Sequence, residues 1–143
     1  MPKIYHGNTK NITLLVLGAA CVLFIGTGKA HADQVPMQLS IECSTPPTQG
    51  DGVRHDCKTS ETRQAAPENY VIAQNSIKVV NKGKGSYHDC NPRFEDYVEI
   101  IPGSGITQPK TFVIWAKAMG PSGHFAGTGS VQCDVTGFYT KYR

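Results

Sequence analysis

No acidic residue occurs before Asp33 in this 143-residue chain, although the chain holds eleven Asp and Glu from that position on. A start without acid, carrying Lys3, His6 and Lys10, lacks the mixed charge of a folded surface and suits the beginning of an export signal. Long apolar runs are missing too. The one candidate, Leu14–Ile25 (LLVLGAACVLFI), has 12 residues. As a helix it rises roughly 18 Å, well short of the ~30 Å hydrocarbon core of a bilayer. The sequence also has no sustained helical stripe, no tandem repeat and no low-complexity tract, which excludes a helical bundle or a solenoid. GxSxG is absent, so a nucleophile elbow is excluded.

After the apolar run, Gly26, Gly28 and Lys29 interrupt it, and Ala30-His31-Ala32 places small side chains where a signal peptidase cuts. Two other fates compete: retention as an anchor, or lipidation at Cys21. Against lipidation, Gly18 stands where Leu is usual, and the apolar run continues past Cys21. The expectation is a signal peptide over 1–32, cleaved after Ala32, and a secreted or periplasmic domain over 33–143 with no stable membrane insertion.

Cleavage leaves 111 of the 143 residues, enough for one domain with a thin core. Lys3, Lys10 and Lys29 leave with the signal, so 14 basic side chains fall to 11 against 11 acids. A mature chain of zero net charge and no basic stripe is not expected to bind nucleic acid. Four cysteines remain, Cys43, Cys57, Cys90 and Cys133, and an even number in an exported chain implies two disulfides. Three pairings are open. Cys43–Cys57 with Cys90–Cys133 is favoured, because the first bridge closes the polar segment 44–56, which has little apolar surface of its own.

What is present is a series of short alternating or apolar runs separated by Gly, Pro, Asn and Ser. Strands are expected over Met37–Cys43, Tyr70–Ala73, Ile77–Val80, Ser86–Cys90, Asp96–Ile101, Thr111–Met119 and Gly129–Thr136. Phe138, Tyr139 and Tyr142 extend the last one. Thr111–Met119 (TFVIWAKAM) is apolar on both faces, which fits a central strand or one under a loop. Ser44–Gly52 and Lys58–Glu68 read as polar loops, the second with room for one helical turn, and Lys82–Gly85 reads as a turn. The fold class is all-β: an antiparallel sandwich or small barrel of six to eight strands.

Several residues are candidates for chemistry. His55-Asp56-Cys57 recurs as His88-Asp89-Cys90. Each His shares a strand face with its Cys, so His55 and His88 form a Zn or Cu pair if the two triplets meet. Against this, exported thiols oxidise, and the spacing departs from compact zinc modules. Ser122-Gly123-His124 and Ser104 offer hydroxyls near turns, with tight-turn geometry the plainer reading. Glu95, Asp96 and Glu99 lack the cleft that a carboxylate pair needs.

Aromatics argue for binding. Phe125 lies in a glycine-flanked loop beside His124, and Tyr139 and Tyr142 lie near the C-terminus, where they either close the sandwich or contact a partner. The expected role is therefore non-catalytic binding of a protein or glycan, without a cofactor. The loops Ser44–Gly52, Pro102–Gln108 and Gly120–Gly127 are expected to carry it, with Ser122, His124, Phe125, Tyr139 and Tyr142 as candidate contacts. A small metal-binding protein and a small hydrolase are the alternatives. No feature of the sequence specifies an oligomeric state.

Overall fold

Val131, Cys133 and Val135 occupy every second position of the last strand, and residues two apart in a strand share one face. That face needs a second layer to cover it. A computed structural model describes residues 33–47, 53–121 and 127–143, and it supplies the layer as a second antiparallel sheet. The expected signal segment, the middle of the first polar loop, and Ser122, His124 and Phe125 lie outside the described residues.

Among the described residues, eight strands follow in chain order: β1 Gln34–Ser44, β2 Asp56–Lys58, β3 Thr62–Ala65, β4 Tyr70–Ile72, β5 Lys78–Lys84, β6 Tyr87–Glu99, β7 Thr107–Met119 and β8 Ser130–Lys141. A 3₁₀ turn, Gln74–Ser76, separates β4 from β5. The two sheets share one plan. In the first, β8 is central, with β1 along one side and β4 and β5 following each other along the other. In the second, β7 is central, with β6 along one side and β2 and β3 along the other. The molecule is an antiparallel β-sandwich.

Met37, Ile72, Phe112, Ile114, Ala116, Ala118, Val131, Cys133, Val135 and Tyr139 form the core between the sheets. Phe94 meets Phe112 edge-on, with ring centroids 5.6 Å apart. Cys43 bonds Cys57, joining β1 to β2, and Cys90 bonds Cys133, joining β6 to β8, the favoured pairing. Each bridge therefore ties one sheet to the other.

The two-sided apolarity of β7 has a specific cause. Its outer residue Val113 is 0 % exposed, flanked in register by Arg63 and Arg93. Arg93 bonds Glu61 at 2.6 Å and Glu95 at 2.7 Å, and Arg63 pairs with the same Glu95. Beside them, Lys58 Nζ lies 4.3 Å from the Trp115 ring centre. Long charged side chains lay their alkyl stems over the strand and keep their heads in water. β7 is central, and side chains rather than a loop cover its outer face.

Three expectations change. Lys58–Glu68 is no loop or helical turn: it holds β3 and the end of β2, whose polar residues are ordered by the ladder to β7. Lys82–Gly85 is no turn either. β5 continues to Lys84, and the chain switches sheets at Gly85, whose φ of 112° favours glycine. Gly83 pairs with Val131 of β8, and glycine suits it because the His88 ring lies against its backbone, where a Cβ would collide. Finally, Ser86–Cys90 and Asp96–Ile101 merge into the single strand β6, in which Pro92 is tolerated because β6 pairs on one side only.

Candidate binding groove

The sandwich has two unlike ends. At the first, the flanks of two expected recognition loops are joined: Thr45 N–H bonds Gly129 O at 2.8 Å, and the Thr45 hydroxyl accepts Gly129 N–H at 2.9 Å. Gly120 N–H reaches His55 O at 2.9 Å. At the second end, β4 and the 3₁₀ turn of one sheet stand opposite the end of β6 and the start of β7 in the other. Between them lies a groove of about 420 Å³. Pro102–Gln108 belongs to this second end, whereas the described flanks of the other two expected loops, Thr45 and Gly120, belong to the first. Thr107 and Gln108 already belong to β7.

The groove is built from short elements that place backbone turns around an apolar floor. Val71 and Ile72, 4 % and 0 % exposed, join Ala73, Ile100 and Ile101, while Gln74, Asn75, Gln108, Thr140, Lys141 and Tyr142 complete the lining. No carboxylate is among these residues. The Gln108 Oε1 atom is buried with no hydrogen-bond partner. Such an atom carries a desolvation cost of about 1–3 kcal/mol until a donor meets it. A shallower hollow continues past Lys141 and Tyr142 toward Asp33 and Arg143.

One wall is stiffened locally. Gly103 and Gly105 take φ of 76° and 73°, and the Glu99 carboxylate accepts Gly105 N–H at 2.6 Å. The N–H groups of Gly105, Gly103 and Ser104 hold the Glu99 carboxyl below its ordinary pKa. Ile100 N–H bonds Ile106 O at 3.0 Å, closing the hairpin. The hairpin thereby exposes Tyr97, Ile101 and Ile106, each about half accessible, beside the groove. Gln74 Nε2 lies 3.4 Å from the Tyr97 hydroxyl and so links the two sheets there.

Of the expected contacts, Tyr142 lines the groove, with its N–H bonded to Asn69 O at 3.0 Å and the Arg143 guanidinium 5.3 Å from its ring centre. Tyr139 lies in the core, 5 % exposed. Ser122, His124 and Phe125 cannot be placed, being outside the described residues, and their flanks Pro121 and Gly127 belong to the first end. The two HDC triplets straddle β7, where Cys57 and His88 both stand opposite Ala118. Their sulfurs belong to different disulfides, and His88 Nδ1 lies 2.9 Å from Asn81 Oδ1. No group of three or more His, Cys, Asp or Glu suited to a metal ion occurs among the described residues. Likewise, none of their helices is long and apolar enough to cross a membrane.

No protein-family model, curated protein or solved structure matches the chain, so the groove stands on its own geometry. Sequence reasoning missed Gln74, Asn75 and Ile101, and reached Gln108 only as the end of the expected loop Pro102–Gln108. Their one sequence signal was Ile100-Ile101 set directly before Pro102-Gly103, an apolar pair that a turn must leave at the surface.

Proposed function

We infer that this is an exported, non-catalytic binding domain that takes a protein segment or glycan in the groove between β4 and the β6–β7 hairpin. The observation that carries the reading is a groove of about 420 Å³ with Val71, Ile72, Ile100 and Ile101 as its apolar lining, ringed by the amides of Gln74, Asn75 and Gln108 and the hydroxyls of Thr140 and Tyr142, with Lys141 its one charge. Concave, mostly apolar sites with a few convergent polar groups are the usual form of a ligand site. Three of the exposed large apolar residues, Tyr97, Ile101 and Ile106, stand next to it. Two disulfides and the acid-free N-terminus support export.

The test is to probe the natively processed chain against a glycan array and, separately, against surface proteins of the producing cell. Tyr142→Ala and Gln108→Ala are expected to weaken binding at least tenfold, while Tyr87→Ala at the opposite end leaves it unchanged. Binding that survives both groove variants contradicts the reading.

A further inference from the structure

Among the described residues the two sheets present four lateral edges, and three are blunted. The edge formed by β2 and β3 is broken into pieces of 3 and 4 residues. That of β4 and β5 is interrupted by the 3₁₀ turn and carries Lys78, Lys82 and Lys84, while the Asn81 side chain bonds His88 O at 3.2 Å. β6 contains Pro92 and the left-handed residue Asp96, with φ of 56°. Interruption, lysine and proline are the usual means of keeping a sheet edge from pairing. β1 has none of these between Gln38 and Ser44.

The hydrogen bonds at its two ends fix which backbone groups of β1 are free. Lys141 N–H bonds Asp33 O at 2.9 Å, and Thr45 N–H bonds Gly129 O at 2.8 Å, both in the continuous β1–β8 register. In an antiparallel pair the backbone groups of alternate residues point toward the partner. Odd-numbered residues of β1 therefore face β8, and Gln38, Ser40, Glu42 and Ser44 direct N–H and C=O to the open edge. Pro36 belongs to the outward set, where its missing N–H removes no ladder bond. Among the described residues nothing pairs with this edge, because β1 has β8 as its single neighbour. A second observation agrees: Leu39, Ile41 and Cys43 face the core yet stay only half-buried.

We propose that β1 pairs with β1 of a second copy of this chain, antiparallel about a two-fold axis at Ile41, joining the two first sheets into one. In this register Gln38 stands opposite the partner's Ser44 and Ser40 opposite the partner's Glu42. The two Glu42 carboxylates are thus kept from facing each other, which would be destabilising. Pro36 and Pro46 bound the paired stretch at its ends. On the inner side Leu39 meets the partner's Cys43, and Ile41 meets the partner's Ile41, so the half-buried row becomes continuous. An isologous two-fold contact closes on itself and leaves no further free edge of this kind.

Sedimentation equilibrium of the natively processed chain across micromolar concentrations tests this directly. The expected mass is that of two chains. Gln38→Pro and Glu42→Pro, each placed where the N–H points outward, are expected to give the one-chain mass with an unchanged far-ultraviolet spectrum and intact disulfides. Amide exchange provides a second readout: Gln38, Ser40, Glu42 and Ser44 slow at high concentration and speed up on dilution. A one-chain mass throughout overturns the proposal. So does a two-chain mass that both proline variants retain.

Discussion

The two ends of the sandwich solve the same problem in opposite ways. Near the first end, where Thr45, Met119 and Gly129 converge, Cys43–Cys57 closes a 14-residue separation, and Cys90–Cys133, two residues further along β8 than Val131 opposite Cys43, closes one of 43. The sheets are stitched there by covalent bonds. At the second end no bridge joins the sheets among the described residues; the Gln74–Tyr97 contact links them, and a groove opens between the layers. A domain of this size has little apolar interior to spare. Placing both bridges toward one end leaves the other free to keep an unfilled concavity. Binding sites are commonly drawn from the less stable parts of a fold for this reason.

The largest effect should come from the covalent ties. In the chain-entropy picture, replacing Cys90 and Cys133 by Ala costs about 4 kcal/mol and replacing Cys43 and Cys57 about 3 kcal/mol, read from urea unfolding. Losses in the reverse order would show that native contacts, not loop length, set the value of each bridge. At the open end, Ile72→Ala in the groove floor is expected to cost about 3 kcal/mol, because Ile72 is 0 % exposed. Ile101→Ala on the rim, 54 % exposed, should stay within about 0.5 kcal/mol. Equal losses would mean the groove is a collapsed part of the core.

The ends also differ in their response to pH. Asp134, on the β8 half nearer the bridges, accepts from Lys82, Gln132 and Ser40, which together lower its pKa from 3.8 to about 2. Its contribution is complete above about pH 4 and is lost as pH falls through about 2. Tyr139, on the half nearer the groove, has its pKa pushed above 10 by burial, with Gln64 partly offsetting the shift. Its hydroxyl has no well-formed hydrogen bond. That contribution is complete below pH 10 and is lost as pH rises through the higher folded value. Asp134→Asn should therefore flatten the acid limb of the stability curve alone. Tyr139→Phe should flatten the alkaline limb and change neutral stability by about 1 kcal/mol or less, toward greater stability. Either variant acting on the wrong limb contradicts the assignment.

Much of this architecture was legible in residue order. Alternation in Met37–Cys43 and Gly129–Thr136 placed Leu39, Ile41, Val131 and Val135 on inward faces, and the unbroken apolar run of Thr111–Met119 marked the central strand. The bridges followed from counting cysteines and from the polar segment between the first two. What escaped was structure that a neighbour imposes. Thr62–Ala65 has no apolar pattern and becomes a strand because β7 offers a ladder. Gly83 reads as a turn residue in sequence, yet it pairs with Val131 and leaves room for the His88 ring. The groove was illegible for a similar reason: Val71, Ile100, Gln108 and Tyr142 are far apart in sequence, and none is unusual alone. Tyr142 was singled out for being aromatic, whereas Gln108 matters because the start of β7 places it in the groove lining.

Native-state amide exchange in graded denaturant is the most direct test of a molecule tied toward one end and open at the other. Val71, Ile101, Ile106 and Tyr142 are expected to exchange through local opening at low denaturant. Ile114, Ala116, Cys133 and Val135, beside the bridges, should exchange only on global unfolding. Uniform protection of both groups, or earlier opening beside the disulfides, would contradict the account.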